Sequence, residues 1–271
     1  MRPFFENNVL QQQPFKPMII VVDTTKAGSA SNTFVLPIIK DTTETVKIYW
    51  GDGTNSTGVN GNNTHVYAAS GIYTVKIESR LFGGIYFNNL GDKAKITKIA
   101  NYGQGVSRLN IGSFYGCSSL LSIDIGNIVS NGADASKQYR GCTALTTVPL
   151  FNLSNCTSTR LMFAYCSALT TVPLFNLSSV TNAYAMFSYC SSLTTIPLLD
   201  LSSVTDATTM FIGVTLTTQS YSDFLINLAT LPLQSGVSFH GGNSKYNSAA
   251  AIARAYLISN FGWTITDGGA A

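Results

Sequence analysis

The sequence predicts a mainly β protein in which a small β-sandwich is followed by a solenoid of stacked repeats and an α/β C-terminal cap. Three observations predict it. Between Lys16 and Ser79, runs rich in β-branched and aromatic residues alternate with polar positions. From Ser113 onward, one phrase recurs every 24 or 25 residues. After Thr217, two stretches space their apolar residues as helices do. The composition suits such a body: 45% of the 271 residues are hydrophobic and only 11% are charged, against about a quarter in an average soluble domain.

The first segment, residues 1–15, reads as an arm. It carries Phe4, Phe5, Val9, Leu10 and Phe15 among polar residues, and Pro3, Pro14 and Pro17 discourage a long helix. It is too short to build its own core. The expectation is that these five apolar residues anchor the chain in a partner. The arm has no apolar h-region and no small-residue cleavage site, so no secretory signal is expected.

Residues 16–80 read as the sandwich. "PMIIVVDTT" and "TFVLPII" are strand-like, "TVKIYWGDGTNST" alternates and turns at Asp52-Gly53, and "HVYAASGIYTVKIES" turns at Ser70-Gly71 before another strand. The pair W-G-D-G (50–53) and H-x-Y-x(3)-G-x-Y-T-V (65–75) resembles a PKD domain, an immunoglobulin-like sandwich. That resemblance implies Trp50, Tyr67, Tyr73 and Val75 in the core and a spacer or adhesive role on extracellular proteins. Asp52 reads as a turn residue rather than a metal ligand.

Residues 81–216 read as the solenoid. Cys117, Cys142, Cys166 and Cys190 lie 25, 24 and 24 residues apart, and Phe114, Tyr139, Phe163, Phe187 and Phe211 keep the same step. Leu120, Leu145, Leu169 and Leu193 each open an L-x-x-[IV]-x-[LI] phrase, the signature of leucine-rich repeats. One unit cannot bury its own apolar edge, so neighbours must stack. Alternation places Leu169, Val172 and Leu174 inward, with Thr171 and Pro173 outward. The cysteines then read as small apolar fillers, Cys156 included. "MFAYCSALTTVPLFNLSSVTNAYA" and "MFSYCSSLTTIPLLDLSSVTDATT" resemble the BspA-like leucine-rich repeats, which occur mostly in surface proteins of bacteria and protists and imply adhesion. The outward residues Thr147, Pro149, Thr171, Pro173, Thr195 and Pro197 form the expected binding ledge.

Residues 217–271 read as the cap: a helix through 221–228, an Ala-rich helix from an Asn/Ser cap to Asn260, a stop at Gly262, and the strand "WTITDGG". This tail resembles those closing similar repeat proteins in bacteria and their phages.

Little in the sequence suggests chemistry. The two histidines, His65 and His240, read as structural. Asp200 is matched by Asn152 and Asn176, so the repeat treats it as a turn position rather than an acid. Asn55 and Asn62 begin Asn-x-Ser/Thr triplets of a kind this composition makes common. No phosphate loop, dinucleotide fingerprint or H-E-x-x-H is present. The net charge of +3 has no basic run behind it, so no nucleic-acid partner is expected. No apolar run reaches a membrane span, and no metal or cofactor is expected. The expected function is that of a non-enzymatic phage virion display or attachment protein: a fibre, spike or capsid decoration. It would join other virion proteins through the arm, act in several copies or as a homo-oligomer, and bind a host surface glycan or protein. A bacterial cell-surface BspA-like adhesin is the alternative, and a carbohydrate-active enzyme the second.

Overall fold

The structure is a computed structural model, and it describes residues 16–40, 43–103, 112–124 and 134–271. Phe4, Phe5, Val9, Leu10 and Phe15 lie outside the described residues. The protein is mainly β. The first strands are β1 (Met18–Asp23), β2 (Thr33–Ile39), β3 (Val46–Tyr49), β4 (Asn55–Gly58), β5 (Gly61–Val66), β6 (Ile72–Glu78) and β7 (Gly84–Ile85). A 3-10 turn (Lys93–Lys95) leads into β8 (Ile96–Asn101), and β9 (Ser122–Ile123) follows. One sheet runs β4-β3-β6-β1-β8-β9 and a second runs β5-β2-β7. Period-2 alternation decides what each strand buries. β1 buries Met18, Ile20 and Val22, β2 buries Phe34, Leu36 and Ile38, and β6 buries Val75 and Ile77, all in one apolar cluster.

The W-G-D-G turn joins β3 to β4. Trp50, Tyr67 and Val75 are buried, whereas Tyr73 is half-buried and stacks on Tyr67 at 3.7 Å between ring centroids. Gly51 has φ +92, and a Cβ there would lie 2.6 Å from the Thr74 carbonyl oxygen, so the turn requires glycine.

β8 changes the pairing rule. It lies antiparallel to β1 but parallel to β9, with Leu121 N–H donating to Thr97 O at 2.9 Å. Parallel succession then continues through the repeats. Leu161, Phe163 and Tyr165 N–H donate to the carbonyls of Tyr184, Met186 and Ser188 at 2.9, 3.0 and 2.8 Å. One unit further on, Ala185, Phe187 and Tyr189 donate to Thr208, Met210 and Ile212. Single parallel bridges link Asp134 to Ser158, Ser158 to Asn182 and Asn182 to Asp206.

The turns that carry F-x-x-C therefore hold most of the stacking bonds. Among the described residues, the three L-x-x-[IV]-x-L phrases pair sparsely: they share the single bridge Thr147–Thr171, with Thr170 N–H donating to Thr146 O at 3.0 Å. Pro149, Pro173 and Pro197 explain why, since each removes a donor from the middle of the phrase. Leu174 corrects the alternation reading. It is 59% exposed, and Phe175 is buried in its place; Leu150 and Phe151, and Leu198 and Leu199, repeat the pattern. Pro173-Leu174 bulges outward between Val172 and Phe175, and strict alternation fails there.

Inside, Phe114, Tyr139, Phe163, Phe187 and Phe211 form a column of stacked rings with centroids 5.9, 5.8, 5.8 and 5.5 Å apart. Phe151 and Phe175 form a second, shorter column beside it. Among the described residues, the Tyr139 hydroxyl has no hydrogen-bond partner. A buried unpaired hydroxyl costs about 1–3 kcal/mol, so Tyr139→Phe should raise stability by about 1 kcal/mol, read as a higher urea midpoint with unchanged slope.

All five cysteines are buried free thiols. The stacking gives three of them a donor role: Cys142, Cys166 and Cys190 Sγ donate to the carbonyls of Phe114, Tyr139 and Phe163 in the preceding unit, at 3.4, 3.1 and 3.1 Å. Burial pushes the Cys166 thiol up to about 12 and the Cys142 and Cys190 thiols well above their ordinary value. These are poor nucleophiles.

The cap consists of α1 (Thr218–Leu228), β10 (Ser238–His240), α2 (Ser248–Phe261) and β11 (Thr264–Thr266). Asn247 caps α2 by accepting from Ala250 N–H, and Gly262 ends it at φ +66. The repeat bonding passes straight into the cap: Phe211 N–H donates to His240 O at 3.0 Å, and Ala207 bridges to Phe239. Phe224 and Phe239 close the ring column against Phe211. Arg254 Nε and the Tyr221 hydroxyl both donate to the buried Asp267 carboxylate, at 2.8 and 2.9 Å, which ties α1 to α2 and β11.

Candidate functional site

Thr147, Thr171 and Thr195 are exposed, and Pro149, Pro173 and Pro197 are half-exposed beside them. The outward bulge adds a third row that the alternation reading missed: Leu150, Leu174 and Leu198 are 57%, 59% and 48% exposed. Their shared 24-residue step was the available signal. Each rung thus offers a threonine hydroxyl, a proline ring edge and an isobutyl group, and none carries a charge.

At the cap end, the ledge opens into a hollow of about 700 Å³ between the last rung and α1, lined by Thr195, Leu198, Ser220, Asp223 and Ile226 among others. Ser220 bridges the two sides: its hydroxyl accepts from Ile196 N–H at 3.0 Å. Asp223 is the acidic residue among the lining side chains and is already bonded to Gln219 Nε2 at 2.8 Å.

The other polar cluster lies on the first sheets. His65 Nε2 sits 2.7 Å from Asp52 Oδ2 and 3.5 Å from Thr54 Oγ1. A nucleophilic relay needs the carboxylate on one ring nitrogen and the hydroxyl on the other. Here both face Nε2, and the Thr54 hydroxyl donates to Asp52 Oδ1 at 2.6 Å instead. Trp50 stacks on the His65 ring at 4.8 Å, and Tyr67 meets it edge-on. The cluster braces a turn. Burial opposes ionisation of Asp52, but the Thr54 hydroxyl, the His65 ring and the Thr54 N–H outweigh it and hold the carboxyl at about 2, against an ordinary 3.8. A depressed carboxylate stabilises the fold above its unfolded value, and that contribution is lost as pH falls through the folded one. Stability should therefore drop between pH 3.8 and about 2, and Asp52→Asn should flatten that part of a melting-temperature profile while lowering stability at neutral pH.

His240 is likewise a bracing residue: its Nδ1 accepts from Gly242 N–H at 3.0 Å. Among the described residues, no three His, Cys, Asp or Glu side chains are grouped to hold a metal ion, and no helix is long and apolar enough to cross a membrane.

Residues 113–230 match the family described as Mycoplasma protein of unknown function, DUF285. The match spans the repeat turns and α1, and it agrees loosely with the BspA-like character of the same stretch. No curated protein and no solved structure matches the chain.

Proposed function

We propose that the chain is a non-enzymatic display and attachment protein. In this reading a PKD-type, immunoglobulin-like sandwich (residues 16–80) carries a BspA-like leucine-rich-repeat solenoid (81–216) closed by a cap (217–271), and the arm (1–15) fixes the assembly to other virion proteins. The ledge meets a host surface glycan or protein. One observation carries the proposal: Thr147, Thr171 and Thr195 and Leu150, Leu174 and Leu198 stand exposed at one repeat step, with no charge on any rung. A solvated repeat face would ordinarily carry Lys and Glu, whereas an exposed row of large apolar side chains beside hydroxyls marks an interaction surface. The resemblance of the closing tail to phage proteins favours the virion. The family match favours the second reading, a bacterial surface adhesin, since that family is described from a cellular organism.

The test is the triple variant Thr147→Lys, Thr171→Lys and Thr195→Lys, compared with wild type in binding of the fluorescently labelled chain to a panel of bacterial cells. All three threonines face solvent, so the melting temperature should change little. Attachment should fall at least tenfold. Unchanged attachment rules the ledge out.

A further inference from the structure

A second row of the repeats carries what the ledge lacks, namely charge. We propose that the hollow lined by Arg140, Arg160, Tyr165, Tyr184 and Tyr189 binds the carboxylate of an acidic sugar; this deepens the attachment reading and rests on it. The hollow is about 370 Å³, and no carboxylate lines it. The Arg140 guanidinium lies 4.9 Å from the Tyr115 ring and 5.4 Å from the Tyr165 ring, and Arg160 lies 4.9 Å over Tyr184. Stacking covers the flat faces of a guanidinium and leaves its in-plane N–H groups free. Among the described residues, neither guanidinium meets a carboxylate or donates a side-chain hydrogen bond. Two oriented and unneutralised forks in one concavity fit a planar anion.

The tyrosines give a second, independent reason. Tyr165 and Tyr189 are 42% and 45% exposed and stack at 4.9 Å. Both hold left-handed backbone, at φ +64 and +58, where the equivalent positions in other units are Gly116, Gly141 and Gly213 at +82, +72 and +73. Glycine adopts this geometry freely, and a residue with a Cβ does not. Left-handed backbone recurs at Lys137, Leu161, Ala185 and Thr209, but at Tyr165 and Tyr189 an aromatic ring stands where the other units have glycine, and both rings line the same hollow.

The charge pattern selects the kind of anion. The positions equivalent to Arg140 in later units are Ala164, Ser188 and Ile212, and those equivalent to Arg160 are Tyr184 and Thr208. Two arginines whose equivalents in later units are all uncharged do not suit a polyphosphate, which gains affinity by neutralising many charges. They suit a sparsely charged ligand with many hydroxyls, for which the tyrosine O–H groups offer donors and acceptors.

The test uses the full chain against immobilised polygalacturonate, hyaluronan and polysialic acid, with fully methyl-esterified polygalacturonate, dextran and polyphosphate as comparisons. Wild type should bind at least one carboxylated chain and neither neutral one. Arg140→Gln and Arg160→Gln should each weaken that binding tenfold or more, and Arg160→Lys should fail to restore it because it keeps the charge but not the fork. Tyr189→Gly should weaken binding without lowering the melting temperature, since Gly213 already occupies the equivalent site. The proposal is overturned by no binding to any carboxylated chain, by equal binding to the methyl ester, by binding to polyphosphate alone, or by variants that bind as wild type does. Cell attachment measured in parallel separates the two readings: attachment that survives the arginine variants but not the threonine triple overturns this site alone.

Discussion

Replacing Lys95 by Met is expected to cost about 3–5 kcal/mol, the usual penalty for removing one partner of a buried ion pair. Lys95 is 0% exposed, and its ammonium lies 3.8 Å from Asp92, which is 1% exposed. Lys95 Nζ donates to the carbonyls of Ser29, Ala30 and Thr33 at 3.1, 2.9 and 2.6 Å and to Ser29 Oγ at 3.0 Å. Asp92 accepts from Ser29 N–H, Ser29 Oγ and Val35 N–H at 2.6, 2.6 and 2.7 Å. The pair therefore satisfies the loop between β1 and β2 from a turn that leads directly into β8. Methionine matches the stem of lysine but strands a buried carboxylate and three carbonyls. The urea midpoint should fall sharply. The double variant Lys95→Met with Asp92→Leu should recover part of the loss, because it removes the orphaned charge. A midpoint within experimental error of wild type for the single variant would show that water reaches the pair.

Phe163→Ala should cost a similar amount, about 3–5 kcal/mol, for a different reason: a lost ring and the cavity it leaves. Phe163 is the middle of the column, with ring centroids 5.8 Å from both Tyr139 and Phe187, 5.9 Å from Phe175 and 6.3 Å from Phe151. Rings above and below are held by their own backbone bonds, so the gap cannot close by simple collapse. Because Phe163 stacks on Tyr139 on one side and on Phe187 on the other, damage here should loosen the packing of both flanking units. A double-mutant cycle with Phe175→Ala should return a coupling of about 0.5–1.5 kcal/mol, the range for aromatic pairs. Strictly additive losses would mean that the two ring columns act separately.

The sequence made some of this legible and hid the rest for physical reasons. The ring and cysteine columns, the Asn247 and Gly262 boundaries of α2 and the Asp52-Gly53 turn follow from period, caps and turn chemistry, which are local. Leu174 was misplaced because alternation holds only where a ladder holds, and Pro173 prevents one. The Lys95–Asp92 pair is invisible in "GDKAKITK", which looks like a solvated turn; its partners lie 57–66 residues away. The arginine–tyrosine hollow was missed for a related reason. Arg140 and Tyr165 become neighbours only when units stack, and a charged residue that breaks a repeat pattern looks like noise until the stacking is known.

The proposed function is a surface, presented by the repeats, that binds and does not cut. It is tested most directly by incubating the purified full chain with isolated bacterial surface polysaccharide and following both retention of the protein and release of reducing ends. The account predicts saturable retention, lost in the threonine triple variant, with no new reducing ends. Release of sugar by wild type that disappears after a single carboxylate substitution would contradict it.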